Sequence, residues 1–237
     1  MEEQLIQSSK LASLGELVGG IAHEINNPAS IILMRAASLT REATEERCPD
    51  DILDDISVIQ RQCEKVAQIT SGLLAFSRQA PFSPKTVAAN QTVQSAVGLV
   101  EHVMGNRGIT CEMELDPDLP LAMLDTSRIE QVLLNLINSA MDAMPNGGTL
   151  SVVSAAHTDK NTKMIKLTVT DTGEGIPREN LERVFDPFFT TKEVGKGTGL
   201  GLAISYGIVQ DHGGRLEVES QAGQGAAFTM LLPVEGV

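Results

Sequence analysis

"KMIKLTVTDTGEGIP", residues 163–177, reads as a strand ending near Val169 and running into a glycine loop. Asp171 stands at the strand end, and Gly173 and Gly175 permit close backbone approach there. A buried carboxylate so placed can accept from an exocyclic amine, which is one way to read adenine. "GKGTGLGLAIS" (195–205) is a second glycine-rich loop, and it runs into a helix. Free backbone N–H groups and a helix N-terminus make an anion site, although one such turn is weak evidence by itself.

Between the two loops, "FDPFFTTKEV" (185–194) holds three of the six phenylalanines. Exposed, they would be a liability; at a hinge or docking surface they make sense. Upstream, Ile129, Val132, Leu133, Leu136, Ile137 and Ala140 form a buried helical stripe in "RIEQVLLNLINSAMDAM" (128–144). Asn135 and Ser139 lie four apart on another face, with Asp142 one turn further. Polar side chains at that spacing can line a groove for a metal–phosphate unit, or be a solvated face.

The remaining pattern changes near residue 80. Before it there is no strand signal. Leu11, Leu14, Val18, Ile21 and Ile25 alternate steps of three and four, an a/d seam that Arg35 interrupts further on. A second seam runs through Ile52, Ile56, Ile59, Cys63, Val66, Thr70 and Leu73. Pro49 and Asp50 separate the two, and Asp51, Asp54 and Asp55 suit the positive end of a new helix. Residues 1–80 therefore read as a helical hairpin. Two single-stripe helices bury their seams best in a four-helix bundle, so the hairpin is expected to dimerise. "RQAPFSPK" (78–85) reads as a linker. Residues 81–237 alternate helices near 90–104, 126–144 and 200–212 with strand runs at 109–115, 149–158, 163–171, 215–221 and 226–234. The strands are mostly consecutive late in the chain. The fold class is thus α plus α/β: the hairpin bundle, then an α/β sandwich whose antiparallel or mixed sheet is covered by helices on one face.

Composition narrows the function. The 237 residues carry a net charge of −13, which argues against nucleic acid as a partner. No apolar run approaches about 18 residues, so no membrane contact by this chain is expected. The N-terminus is acidic and polar, unlike a signal peptide. Cys48, Cys63 and Cys111 have no ligand spacing and read as reduced thiols of a cytoplasmic protein.

"IAHEINNPAS" (21–30) adds a candidate nucleophile. With Leu11 and Val18 at position a, His23 falls at f, away from the seam. Asn27 sits one turn above it, and Gly19 and Gly20 leave bare backbone below. Pro28 then interrupts the helix. A neutral imidazole is a nucleophile that a neighbouring carboxylate, Glu24, can orient and deprotonate. A surface histidine on a polar face is the plainer alternative.

In order, "HEINNP", "QVLLNLINSA", "DTGEGIP", "FDPFF" and "GKGTGLGL" resemble the phosphoacceptor, N, first glycine, phenylalanine and second glycine boxes of the two-component sensor histidine kinases. The resemblance covers about residues 5–235. It implies a homodimeric hairpin joined to an ATP-binding and Mg²⁺-binding domain of the gyrase, chaperone and histidine kinase superfamily. By that likeness His23 accepts the γ-phosphoryl group, Glu24 is its base, and Asn27 assists transfer and positions water for dephosphorylating a response regulator receiver domain. Asp171 binds the adenine amine. Gly173, Gly175, Gly197, Thr198, Gly199, Leu200 and Gly201 shape the pocket and a lid over the phosphates. Lys192 and Lys196 are phosphate contacts on charge alone. Asn135 fits the first asparagine of the N box. The second, which coordinates Mg²⁺ in the family, falls on Ser139, a shorter and weaker ligand. That departure keeps open a nucleotide-binding scaffold or phosphatase with weak kinase activity. A gyrase-type ATPase is disfavoured because Asn135 stands where those enzymes place a glutamate. The parent of such a core is commonly membrane-anchored.

Overall fold

The computed structural model describes residues 25–37, 39, 52–60, 62–63, 66, 82–160, 162–192 and 199–235. The chain divides into two compact units, Met1–Arg78 and Gln79–Val237.

In the first unit, helices α1 (25–37) and α2 (52–60) are described. Pro28 is buried, and the backbone is helical on both sides of it, so the helix passes through the proline. Its fixed φ suits a helix; what it removes is one donor. Arg35, which interrupts the first seam, pairs with Asp55 on α2, Nη1 to Oδ1, at 2.7 Å. The Asp55 side chain is only 4% exposed. A carboxylate so buried requires a charged partner, and Arg35 supplies it.

The second unit runs β1 (Lys85–Val87), α3 (Ala89–Asn106), β2 (Ile109–Leu115), β3 (Ala122–Leu124), α4 (Thr126–Ala143), β4 (Gly148–Asp159), β5 (Thr162–Asp171), α5 (Arg178–Leu181), α6 (Gly201–Asp211), β6 (Arg215–Ser220) and β7 (Ala226–Pro233). Five strands form one sheet in the order β2-β4-β5-β7-β6. The β2–β4 pair is parallel and the others are antiparallel, so the sheet is mixed. β1 and β3, three residues each, pair separately. Sequence periodicity does not reveal elements this short, nor the four-residue α5.

One core lies between the sheet and the helices. Val93 and Val97 of α3, Leu133 and Ile137 of α4 and Val209 of α6 meet Leu150, Ile165, Leu167 and Met230 of the strands. A parallel pair needs a crossover, and α4 provides it between β2 and β4. Its C-terminal end is thereby delivered to the start of β4. That start pairs with the end of β5, Leu150 opposite Asp171. Along β5 the buried positions Ile165, Leu167, Val169 and Asp171 alternate with more exposed ones. Asp171 is thus the last member of the inward series, an acid where the pattern calls for an apolar side chain.

The start of this unit is fastened to the two helices flanking it. The Phe82 ring meets the His212 ring edge-on, centroids 4.8 Å apart, and the Arg128 guanidinium lies 5.5 Å from the Phe82 centroid. The Ser83 N–H donates to Asp125 Oδ2 at 3.1 Å. Asp125 caps α4, its Oδ1 accepting from the Arg128 N–H at 3.3 Å and the Ser127 hydroxyl at 2.7 Å. Burial pushes the Asp125 carboxyl up, but these donors and the Arg128 charge outweigh it and hold it below the usual carboxylate range. The buried His212 at the end of α6 is fixed as the neutral Nδ1–H tautomer. Nδ1 lies 2.8 Å from the Ile208 carbonyl and must donate, so Nε2 accepts from the Asp125 N–H at 3.0 Å.

Candidate functional site

Three loops converge on the C-terminal half of α4. The loop after β5 packs against its last residue: the Glu174 N–H donates to the Ala143 carbonyl at 3.1 Å. A Cβ on Gly173 would lie 2.5 Å from that same oxygen, so only glycine fits there. The segment after α5 reaches Asp142 through Lys192, Nζ to Oδ2, at 2.6 Å. The start of α6 is held by Asn135, whose Nδ2 donates to the Gly201 carbonyl at 3.0 Å and to Ser205 Oγ at 3.2 Å. Ser205 is fully buried and itself donates to the Gly201 carbonyl at 2.8 Å. Asn135, Asp142 and Ala143 thus each bond to one of these loops, with Ser139 between them on the helix; the strip they outline is the α4 groove.

Asp171 is 4% exposed. Its Oδ1 accepts from the Gly173 N–H at 2.8 Å and the Ala226 N–H at 3.3 Å. Oδ2 has no protein donor among the described residues. Burial pushes this carboxyl above its ordinary range, and the two N–H groups offset part of the shift. An unpartnered oxygen on a buried carboxylate is costly unless a ligand donor meets it.

The three phenylalanines of 185–189 are half-buried. Phe185 stacks on Tyr206 at 5.3 Å and meets Phe228 edge-on at 6.5 Å. Phe188 takes a positive φ of 67° and donates its N–H to the Gly199 carbonyl at 3.0 Å. Gly199, at φ 63°, is pressed so close that a Cβ would collide with the Phe188 backbone. Gly201 differs: its φ is not positive, and a Cβ would find its nearest neighbour, Asn135 Cγ, at 3.7 Å. The protein itself does not require glycine there, which fits a backbone that a ligand approaches.

The groove also has hard oxygen donors. With both amide hydrogens engaged, Asn135 Oδ1 has no partner among the described residues, and neither has the Ser139 hydroxyl one turn along. Two neutral oxygens suit Mg²⁺, which keeps several waters and takes phosphate oxygens besides. No group of three or more His, Cys, Asp or Glu that could hold a metal is present among the described residues.

Asn135, Ser139, Asp171, Gly173, Gly175, Lys192, Gly199, Leu200 and Gly201 all belong to this one unit. Asn27 is helical and exposed in the other. His23, Glu24, Lys196, Gly197 and Thr198 lie outside the described residues. Ser205, Arg107 and the role of Asp142 escape sequence reasoning, because their partners lie far off in the chain. Ser205 alone leaves a faint signal, being at i+4 from Gly201 on the helix that the glycine loop enters.

The family described as histidine kinase-, DNA gyrase B- and HSP90-like ATPase matches residues 124–236, and the His kinase A phospho-acceptor domain matches residues 13–81. The class is therefore an ATPase domain of that superfamily behind a phosphoacceptor domain. The catalytic domain of the histidine kinase ThkA is similar over 64% of this chain and 98% of its own, at 32% identity and a TM-score of 0.56. ThkA solved in complex with the response regulator protein TrrA matches 98% of this chain and 65% of its own, at 28% identity and a TM-score of 0.80. Sensor kinase CckA of Brucella abortus is 36% identical over 98% of this chain, and sensor histidine kinase ZraS of Escherichia coli 34% identical over 99%. The chain spans 25% and 48% of those two proteins. It belongs to the sensor histidine kinase family. No helix among the described residues is long and apolar enough to cross a membrane.

Proposed function

We propose that this chain is the core of a sensor kinase that phosphorylates its own His23 with Mg²⁺-ATP and passes the phosphoryl group to an aspartate of a response regulator receiver domain. The observation that carries the nucleotide reading is the buried Asp171 with its unpartnered Oδ2, set in a groove on α4 with Asn135, Ser139 and Lys192. Asp171 would accept from the adenine amine. Asn135 and Ser139 would hold Mg²⁺, and Lys192 would neutralise phosphate charge. ATP supplies the phosphoryl group. In the transfer a neutral imidazole nitrogen of His23 forms the N–P bond as the bond to the β–γ bridging oxygen breaks; ADP leaves, and Glu24 takes the imidazole proton. The hairpin of residues 1–80 would dimerise as a four-helix bundle, with residues 81–237 as the ATP-binding domain. The ThkA–TrrA complex supports a receiver domain as the partner.

The test is incubation of the full chain with labelled ATP and Mg²⁺. Acid-labile, base-stable phosphate is expected. His23→Ala should lose it while still binding ATP; label persisting on that variant would sink the acceptor assignment. Ser139 favours a second reading, a nucleotide-binding scaffold or a phosphatase toward the phospho-receiver with weak kinase activity. Phosphatase turnover with negligible labelling of the unaltered chain would establish it.

A further inference from the structure

Asp142 binds two cations, one on each oxygen. Lys192 Nζ lies 2.6 Å from Oδ2, and Arg107 Nη1 lies 3.1 Å from Oδ1. The side chains are 33%, 39% and 47% exposed for Lys192, Asp142 and Arg107, so none is buried for packing reasons. Lys192 is also oriented through its backbone, its N–H donating to Thr190 Oγ1 at 3.2 Å. Arg107 arrives from elsewhere, at the C-terminal end of α3.

The charges of the three decide what they offer. An isolated Asp142–Lys192 pair is neutral and would present little to a polyanion. Arg107 on the second oxygen offsets the carboxylate, so the triad carries one net positive charge with the lysine held in place. That charge sits one turn beyond Ser139, at the end of the groove away from Asn135. The sequence offers Lys192 as a phosphate contact on charge alone; the structure adds what holds it.

We propose that Asp142 is a positioning residue for the phosphate chain of the nucleotide: it fixes Lys192 beside the Ser139 turn of α4, with Arg107 offsetting its charge. This rests on reading the α4 groove as the ATP site. The class of ligand is a nucleoside polyphosphate, and the triad acts on its phosphates and not on its base.

The test is equilibrium binding of ATP, and of adenosine as a probe without phosphate, to the full chain at fixed Mg²⁺ and salt. Lys192→Ala, Asp142→Asn and Arg107→Gln should each weaken ATP about fivefold, the scale of a half-exposed charge contact, and leave adenosine unchanged. Asp142→Glu should recover most of the affinity. Asp142→Asn should add nothing in the Lys192→Ala background, because Asp142 acts through Lys192. Tighter ATP binding by Asp142→Asn, or an equal loss in the Lys192→Ala background, overturns the proposal. Asp171→Asn separates the two levels. If it weakens ATP and adenosine alike while Lys192→Ala changes neither, the groove stands and the triad falls. If Asp171→Asn changes neither ligand, the groove reading itself falls, and the triad with it.

Discussion

Replacing Gly201 by alanine separates what the fold needs from what the ligand needs. The residue opens α6, and the added methyl carbon would sit 3.7 Å from Asn135 Cγ, an ordinary contact. Its backbone conformation is open to alanine, and alanine is the better helix former by up to about 1 kcal/mol, less at a helix end. Stability should therefore hold or rise slightly, with a melting temperature within a few degrees of the parent. ATP affinity should fall if the phosphate chain lies over this backbone as proposed, because the methyl group would occupy that surface. Displacing a backbone–phosphate hydrogen bond to a charged group costs about 1.5–3 kcal/mol, or roughly tenfold to a hundredfold in Kd. Differential scanning fluorimetry with and without Mg²⁺-ATP reads both quantities on one sample. A Gly201→Ala variant that melts early would mean the glycine is structural. Unchanged ATP affinity in that variant would place the phosphates away from the start of α6. Gly199→Ala is the contrasting control: positive φ and the collision with Phe188 should destabilise it outright.

Three further outcomes follow from other parts of the molecule. Burial holds the His212 imidazole below its ordinary range, the Ile208, Asp125 and Asp211 interactions offsetting part of this; the unfolded chain therefore binds the extra proton first, and stability should be full above about pH 6.5 and decline below it, a slope that urea titrations should find flattened in His212→Gln. Ser139→Asn should raise autophosphorylation or lower the Mg²⁺ requirement; an unchanged Mg²⁺ titration would mean the metal is held without this position. Asn27→Ala, altering an exposed residue on α1, should lose phosphatase activity toward the phospho-receiver while keeping autophosphorylation and melting temperature; parallel loss of both activities with a lowered melting point would make Asn27 a support for Pro28.

The five main strands were legible because β-branched and apolar residues recur in runs bounded by glycine, proline and asparagine, as in "ITCEMEL" and "AAFTMLLPV". The glycine loops were legible for a related reason: their conformational demand is local. What stayed hidden joins distant residues. Asn135 to Ser205 spans seventy positions and Lys192 to Asp142 fifty, and no periodicity records such pairs. Arg35 sits between these cases. Its break in the seam was visible, but its partner was not, since Asp55 also suits a helix start. The mixed character of the sheet was only half legible, because the parallel β2–β4 pair depends on where the α4 crossover lands.

The fastening of Phe82 and Ser83 has a practical bearing on how the ATPase unit can be cut from the chain. A truncation at Lys85, where the first strand begins, would cut it away. Such a fragment would lose the ring that covers His212 and the N–H that serves Asp125, baring one end of both α4 and α6. A fragment beginning at Gln79 keeps the seal, and a difference in yield or melting temperature between the two would be set by residues that belong to no strand or helix.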